Sequence, residues 1–358
     1  MTPRERVFNA LDRKKTDRAP ADYHAHKGVS DALIEKLGLA DHEELLQELG
    51  VDMRRISFGY GQPDTGPDAD GYMRTLWGVR HRDEDPGDGT LPRSVKTTPS
   101  QPNRILPFDE DSTLNDVLNH EWPDPDALDY SGIRAQCEKY HGTYATFGAP
   151  WSPFFHEVGW LVGQQNFYVW MCSKPDVVEA LIDHFVDYEV EVTRRFLEAA
   201  DGMIDIAYFG NDFGTQRGLF ISPDMWEKFM RRPLKRFYDV SHEYGCKVMQ
   251  HSCGSVRDVI PAWIEDGVDI LDPVQVRAAG MELGSLVDDF GDRLAFHGGV
   301  DTQQTLPFGS TDDVRTEVRS YLDLTHERAG YILSGSQDYI EDIPLDNILA
   351  IYDENTKA

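Results

Sequence analysis

A short apolar stretch that ends in a histidine and a cysteine is the part of this sequence best suited to chemistry. His251 and Cys253 follow the apolar residues Val248 and Met249 and stand two positions apart. Side chains two apart on a strand point to the same side, so we expect the imidazole and the thiol to face one point. A nitrogen and sulfur pair of this kind suits a borderline-soft metal ion such as zinc.

Eight short apolar runs, most of them separated by amphipathic helical patterns, are predicted to be strands. They cover residues 19–24, 53–58, 144–148, 204–210, 247–251, 269–271, 293–297 and 331–333. Apolar strands that alternate with helices are typical of a parallel sheet covered on both faces. About eight such units predict an α/β fold, a (β/α)8 TIM barrel. A Rossmann-type sheet is the alternative, but no G-x-G-x-x-G motif follows the first run.

The length of the chain and one long gap between strands set the expected domain organisation. The 358 residues are expected to form a single domain over 1–358, because α/β barrels reach this size when they carry insertions. An insertion is predicted at 59–140, since this gap far exceeds an ordinary βα loop. We expect the insertion to lie over the catalytic face, and a surface excursion without functional contact is the alternative.

Polar residues crowd one end of nearly every predicted strand, and in a barrel the active site lies at the carboxyl ends of the strands. This asymmetry favours an enzyme over an inert scaffold. Asp212, His251 and His297 are the catalytic candidates, because carboxylates and imidazoles move protons. Ordinary roles in hydrogen bonding, loop capping and packing are the alternatives. The candidates for substrate binding are His24, Tyr60, Trp151, Phe155, Asn211, Gln275, Asp301 and Gln337.

The charge balance limits the partners that this protein can have. It carries 63 acidic and 35 basic residues, a net charge of -28, which argues against nucleic acid and anionic membranes as partners. The acidity is explained by solubility or by a salt-adapted organism. No stretch approaches the roughly 20 apolar residues of a membrane span, and the first residues do not resemble a signal peptide. A cytoplasmic acidic protein is therefore expected.

Several stretches of the chain resemble the uroporphyrinogen decarboxylase superfamily, which also contains cobalamin-dependent methyltransferases. The resemblance covers nearly the whole chain and is strongest from the fourth predicted strand onward. It is carried by residues 1–7, 210–216, 251–255, 272–275, 296–302, 330–333 and 342–348. The resemblance implies a (β/α)8 barrel, and it suggests a homodimer.

Two branches of this superfamily imply different chemistry. The decarboxylase branch acts on the acetate side chains of a porphyrinogen without a metal, and an Arg-Gln-Ala-Gly-Arg stretch follows its first strand. Residues 21–28 of this chain read Ala-Asp-Tyr-His-Ala-His-Lys-Gly instead. The arginines that would hold substrate carboxylates in two-point contacts are missing, which argues against porphyrinogen decarboxylation.

The methyltransferase branch resembles the chain better at His251 and Cys253. In that branch, His-x-Cys and a later cysteine hold a zinc ion, which activates a thiol or a similar acceptor for methyl exchange. The resemblance implies zinc in this chain, a small-molecule substrate, and methylcobalamin carried by a partner corrinoid protein rather than by the chain itself.

The third zinc ligand of that branch is not present as a cysteine. Gln337 stands at the expected position, and no cysteine follows Cys253. We expect Asp338 or Glu341 to supply a carboxylate in its place. Loss of the metal is the alternative. It would leave a metal-free decarboxylase or lyase that acts on a small carboxylated substrate through Asp212 and His297, or a non-catalytic binding protein.

Overall fold

A computed structural model describes residues 1–58, 68–81 and 104–357. Short 3-10 turns cover Pro125–Ala127 and Arg257–Val259, and a π-helical segment at Glu227–Arg231 joins two helices. The α-helices are α1 (Pro3–Leu11), α2 (Lys27–Leu37), α3 (His42–Glu48), α4 (Leu114–Leu118), α5 (Ile133–Tyr140), α6 (Phe154–Val162), α7 (Gln164–Ser173), α8 (Pro175–Ala200), α9 (Pro223–Trp226), α10 (Arg232–Glu243), α11 (Ile260–Asp266), α12 (Leu283–Phe290), α13 (Thr305–Phe308), α14 (Thr311–Thr325) and α15 (Leu345–Asn355).

The strands form one curled parallel sheet and one small antiparallel sheet. They are β1 (Met53–Arg55), β2 (Met73–Arg74), β3 (Arg80–His81), β4 (Arg104–Ile105), β5 (Ala145–Phe147), β6 (Ile206–Gly210), β7 (Lys247–His251), β8 (Ile270–Asp272), β9 (Ala295–His297) and β10 (Tyr331–Ile332). The parallel sheet has the order β1-β5-β6-β7-β8-β9-β10, and β2-β3-β4 form the antiparallel sheet. Parallel strands with intervening helices confirm the predicted α/β class.

The predicted first strand at 19–24 is present only as a short bridge. Ala21 pairs in parallel with Leu333, and the Asp22 N–H donates a hydrogen bond to the Leu333 carbonyl at 2.9 Å. On the other side, the Asp52 N–H donates to the Ala21 carbonyl at 2.8 Å. This segment therefore joins the two edges of the curled sheet. Pro20 has no N–H to extend the ladder, which keeps the pairing short.

Alternate strand residues divide the core into two layers. The inner layer contains Met249, Ile270 and Ala295 from neighbouring strands, together with Val7 and Leu11 of α1. The residues between them on the strands pack outward against the helices. Since side chains alternate along a strand, positions two further on continue the inner face at the carboxyl end of the sheet. The alternation therefore puts one histidine on β7, one on β9 and an aspartate on β8 into the same inner layer.

Among the described residues, α8 is the longest helix, and it covers the outside of the sheet. Its buried residues Val178, Leu181, Ile182 and Phe185 recur at the three- and four-residue spacing of an amphipathic helix. Pro175 stands in its first turn, where a missing N–H costs nothing. Among the residues that the structure describes, no helix is long and apolar enough to cross a membrane.

The described part of the predicted insertion packs against the outer helices. Trp77 stacks on Phe185 of α8 with ring centres 4.0 Å apart and meets Tyr188 edge-on at 5.1 Å. Lys174, just before α8, donates to the carbonyl of Glu110 at 2.7 Å. These contacts hold the described part of the insertion against α8 and the residue before it. Its predicted position over the catalytic face stays a prediction.

Candidate functional site

The inner side chains at the carboxyl end of the sheet form a network around Asp272. The Asp272 Oδ2 atom accepts hydrogen bonds from Tyr208 Oη at 2.6 Å and from His251 Nδ1 at 2.7 Å. Its Oδ1 atom lies 2.6 Å from His297 Nδ1. Asp272 is only 3% exposed. Two imidazoles thus share one buried carboxylate, and each turns its Nε2 atom away from it.

On one side of Asp272, His251 directs its Nε2 atom at Asp212 and Cys253. We call these three residues the Cys253 cluster. Nε2 lies 3.2 Å from Cys253 Sγ and 3.3 Å from Asp212 Oδ1. One ligand atom from each residue lies within 4.8 Å of the other two. Two donors on a tetrahedral zinc ion are about 3.3 to 3.6 Å apart, given bonds of about 2.0 Å to nitrogen and 2.3 Å to sulfur. The donor types and spacing fit zinc with one open position.

Gln337 faces the Cys253 cluster, but the neighbouring carboxylates do not. Gln337 Nε2 donates to Cys253 Sγ at 2.8 Å. Asp338 instead places Oδ1 3.9 Å from His24 Nδ1, and Glu341 pairs with His26 at 3.1 Å. The carboxylate that we expected from Asp338 or Glu341 is supplied beside Cys253 by Asp212, because the loop after β6 reaches across to β7.

Two glycines allow the loops after β6 and β7 to touch. A Cβ atom on Gly214 would lie 2.6 Å from the Cys253 carbonyl oxygen, and one on Gly254 would lie 2.5 Å from the Gly214 carbonyl. Gly254 also has a φ of +80°, which glycine adopts without strain. The close approach brings Asp212 to Cys253, whose N–H donates to Asp212 Oδ1 at 2.8 Å.

On the other side of Asp272, His297 directs its Nε2 atom at Asp22, which also bonds His24. We call Asp22, His24 and His297 the Asp22 cluster. Asp22 Oδ2 accepts hydrogen bonds from His24 Nε2 at 2.9 Å and from His297 Nε2 at 3.2 Å. These residues also offer one ligand atom each within 4.8 Å of the others. Asp22 and His297 are buried, and His24 is partly exposed. The segment that joins the sheet edges brings the three residues together.

Burial and opposite charges act against each other throughout the network. Burial raises the pKa of Asp272, but His297 and His251 hold it well below its usual value. Burial lowers the pKa of His251, but Tyr208, Cys253 and two carboxylates raise it well above its usual value. Burial also lowers the pKa of His297, whereas Asp272 and Asp22 raise it to about 10. Both shifts favour the protonated imidazoles, and a metal ion would have to displace those protons.

Trp151, which the sequence predicted to bind substrate, packs beside His251 and Tyr208. Its ring centre lies 5.0 Å from that of His251 and 5.1 Å from that of Tyr208. A Cβ atom on Gly210 would overlap the Trp151 indole. The glycine at the end of β6 therefore makes room for the indole beside the catalytic candidate His251.

Asn211 and Phe155, predicted to bind substrate, hold the loop behind Trp151. Asn211 Oδ1 accepts from the Phe155 N–H at 3.0 Å, and its Nδ2 donates to the Ser152 carbonyl at 3.1 Å. The Phe155 ring is fully buried and packs 5.2 Å from that of Phe213. Both residues are therefore occupied by contacts within the protein, and their role in the structure is support.

Gln275 and Asp301 are also occupied by protein partners. Gln275 Oε1 accepts from the Gly254 N–H at 2.7 Å and so supports the loop of the Cys253 cluster. Asp301 is buried and accepts from Arg277 Nε at 2.5 Å. Tyr60, the remaining substrate-binding candidate, lies outside the described residues.

The sequence interpretation missed residues that the strand alternation brings into the site. Arg55 lies two positions after Met53 on the inner face of β1. It was missed because the strand was predicted to continue to residue 58, which placed its carboxyl end after Arg55. With Asp22 and His24 it lines a cavity of about 200 Å³. Tyr208 lies two positions before Gly210 on the inner face of β6, a spacing that could have revealed it.

His156, from α6, was missed as well. Its Nε2 atom lies 4.0 Å from Asp212 Oδ2 and has no hydrogen-bond partner within the described ranges. Burial lowers the pKa of His156, although the nearby Asp212 carboxylate acts in the opposite direction. No strand pattern points to it, because it reaches the site from a helix.

A family model described as "Uroporphyrinogen decarboxylase (URO-D)" matches residues 131–357, which is more than half of the chain. The chain belongs to the URO-D family. The match confirms the superfamily expected from the sequence, and it includes the whole Cys253 cluster and Gln337. Asp22 and His24 precede it.

This URO-D family protein is also similar in structure to a methyltransferase from Methanosarcina mazei. The similarity has a TM-score of 0.64 at 17% identity, and it covers 100% of this chain and 99% of that chain. At this identity the comparison shows a shared fold. No curated protein matches the chain.

Proposed function

We propose that this URO-D family protein is a zinc-dependent methyltransferase that exchanges a methyl group between a small substrate and a corrinoid protein. The anchoring of His251 carries the proposal: its Nδ1 bonds Asp272 at 2.7 Å, while its Nε2 faces Cys253 Sγ at 3.2 Å. Metal-binding histidines typically bond a carboxylate through the other ring nitrogen. The shared fold with a protein named as a methyltransferase supports the same reading.

The residues of the Cys253 cluster would bind the metal, and two neighbouring residues would position them. Asp212, His251 and Cys253 would hold the zinc and leave one position open for an acceptor. Zinc, when bound, lowers the pKa of an acceptor thiol, so that the anion is present at neutral pH. Asp272 fixes the ring of His251, and Gln337 donates to the Cys253 sulfur. In the proposed transfer, the acceptor sulfur would gain the methyl group, and the corrinoid protein would keep the electron pair of the bond that breaks.

A metal-free decarboxylase or lyase is the second candidate, and Arg55 is the observation that favours it. Arg55 is exposed beside the cavity of Asp22 and His24, and it has no ion-pair partner in the described ranges. A guanidinium in this position suits a substrate carboxylate. Asp212 and His297, the predicted catalytic pair of such an enzyme, do not contact each other, however. Asp212 pairs with His251, while His297 pairs with Asp22 and Asp272.

Metal analysis of the protein purified without chelator tests the first candidate. We expect Cys253→Ser to lose one equivalent of zinc relative to the unsubstituted protein. Cys172→Ser, which changes an exposed cysteine on α7, is the matched control and should keep its zinc. Equal zinc in all three proteins would contradict the proposed ligand set.

A methyl-transfer assay tests the reaction itself. Free methylcobalamin is mixed with a panel of small thiols, and the loss of its absorbance is followed. The unsubstituted protein should accelerate this loss, and Cys253→Ser should not. Metal-independent release of carbon dioxide from small carboxylic acids, with no methyl transfer, would favour the second candidate instead.

A further inference from the structure

The Asp22 cluster repeats the arrangement that supports a metal at the Cys253 cluster. His251 and His297 place their Nδ1 atoms 2.7 and 2.6 Å from opposite oxygens of Asp272. Each histidine then directs Nε2 at a carboxylate, that of Asp212 or that of Asp22. A histidine oriented by a carboxylate in this way is the usual support of a metal-binding imidazole.

The donor spacing in the Asp22 cluster is also that of a metal site. Asp22 Oδ2 lies 2.9 Å from His24 Nε2 and 3.2 Å from His297 Nε2. Donors held at about 2.0 Å from a tetrahedral ion are about 3.3 Å apart, so shifts of a few tenths of an ångström would admit one. The other nitrogen of His24 faces Asp338 Oδ1 at 3.9 Å, which gives this histidine a carboxylate as well.

We infer that Asp22, His24 and His297 form a second divalent-cation site, joined to the Cys253 cluster through Asp272. Two imidazoles and one carboxylate form a nitrogen and oxygen donor set, which suits Mn²⁺, Fe²⁺, Co²⁺ or Zn²⁺ and leaves positions open. The Cys253 cluster differs because it offers a sulfur ligand. The two sites should therefore be distinguishable by spectroscopy.

The space around the Asp22 cluster fits a ligand at the open positions. A cavity of about 30 Å³ lies between the clusters and is lined by His24, His251 and His297. A cavity of this volume is large enough to hold a water molecule. The larger cavity beyond it, of about 200 Å³, is lined by Asp22 and His24 together with Arg55. A cation at Asp22 would stand beside both spaces, and an anionic group held by Arg55 could reach it.

Titration of the metal-free full-length protein with Co²⁺ tests the second site. A Co²⁺ ion bound to a thiolate shows a charge-transfer band in the near ultraviolet, whereas one bound to nitrogen and oxygen does not. The unsubstituted protein should bind two equivalents, of which one gives the band. His24→Gln should bind one equivalent with the band, and Cys253→Ser one equivalent without it. His26→Gln is the matched control, because His26 is a neighbouring histidine paired with Glu341, and it should bind two.

The outcomes separate the second site from the proposed function. One equivalent with the thiolate band, unchanged in His24→Gln, would overturn the second site and leave the Cys253 cluster as the metal centre. One equivalent without the band that is lost in His24→Gln would support the second site and overturn zinc at Cys253. No binding would overturn both. Circular dichroism spectra of the variants are compared with that of the unsubstituted protein to check that each one is folded. Asp22→Asn is a second variant of the Asp22 cluster and should give the same result as His24→Gln.

Discussion

The Cys253 cluster and the Asp22 cluster share one carboxylate but are assembled from different parts of the chain. The first draws its ligands from the loop after β6, the end of β7 and the loop that follows β7, and it contains a sulfur atom. The second joins the residues after the amino-terminal bridge to the histidine that ends β9, and it contains only nitrogen and oxygen donors. The first is also more open, since the side chain of Asp212 is 40% exposed and that of Asp22 only 3%. We conclude that a substrate reaches the Cys253 cluster more readily than the Asp22 cluster.

Removal of the shared carboxylate should have the largest effect and should break both clusters together. Asp272→Ala leaves the buried His297 and the partly buried His251 without their common counter-charge, and loss of one partner of a buried ion pair costs about 3–5 kcal/mol. Urea unfolding should show a loss of this size, and metal analysis should show loss at both clusters. Asp272→Asn keeps the shape of the side chain and is the matched variant. If Asp272→Ala loses metal at one cluster alone, Asp272 does not connect them.

A change in the loop contact should damage the Cys253 cluster and spare the Asp22 cluster. In Gly214→Ala the new methyl group would meet the backbone of Cys253 and Gly254, and overpacking of this kind costs about 1–3 kcal/mol. The thiolate band of bound Co²⁺ should weaken while binding at the Asp22 cluster persists. Gly218→Ala, where a Cβ atom meets nothing within 4 Å, is the control and should leave the band unchanged. An equal effect of both variants would argue against the loop contact as the cause.

A smaller effect is expected from the amide beside the sulfur. Gln337→Ala removes the hydrogen bond to Cys253 Sγ, and loss of such an outer partner lowers metal affinity roughly 10-fold or more. Competition with a chelator of known affinity measures the change. Gln303→Ala, whose side chain contacts Gln275 rather than a ligand, serves as the control. An unchanged affinity in Gln337→Ala would show that the contact does not support the metal.

The smallest of these effects should concern substrate alone. Arg55→Ala should raise the KM for a carboxylated acceptor by roughly 10-fold, the value of about one charge-assisted hydrogen bond. The metal content and the KM for an uncharged thiol should not change. A parallel rise of KM for both acceptors would place Arg55 outside the recognition of charge.

The contrast between the clusters also explains what could be predicted from the sequence. The strand at Lys247–His251 was predicted with its observed bounds, because its apolar run is continuous and ends at Gln250 and His251. Alternation on that strand made His251 and Cys253 neighbours. The approach of Asp212 depends on backbone contact between Gly214 and Gly254, which no local pattern records.

The Asp22 cluster could not be predicted from local sequence patterns, because it depends on contact between the amino-terminal segment and the last strands of the sheet. The pairing of Ala21 with Leu333 and Asp52 brings Asp22 beside β10 and within reach of His297 on β9. The real end of β1 at Arg55 was missed because the apolar residues Ile56 and Phe58 continue the strand pattern. Tertiary contact thus decided the features that periodicity left open.

X-ray absorption at the zinc edge tests the central claim most directly. The zinc-loaded protein should show a sulfur neighbour at about 2.3 Å in addition to nitrogen and oxygen neighbours at about 2.0 Å. The number of sulfur neighbours averaged over both zinc sites should rise to one per zinc in His24→Gln, because only the Cys253 cluster then holds zinc. In Cys253→Ser the sulfur neighbour should disappear. A spectrum of the unsubstituted protein without any sulfur neighbour would contradict zinc at the Cys253 cluster.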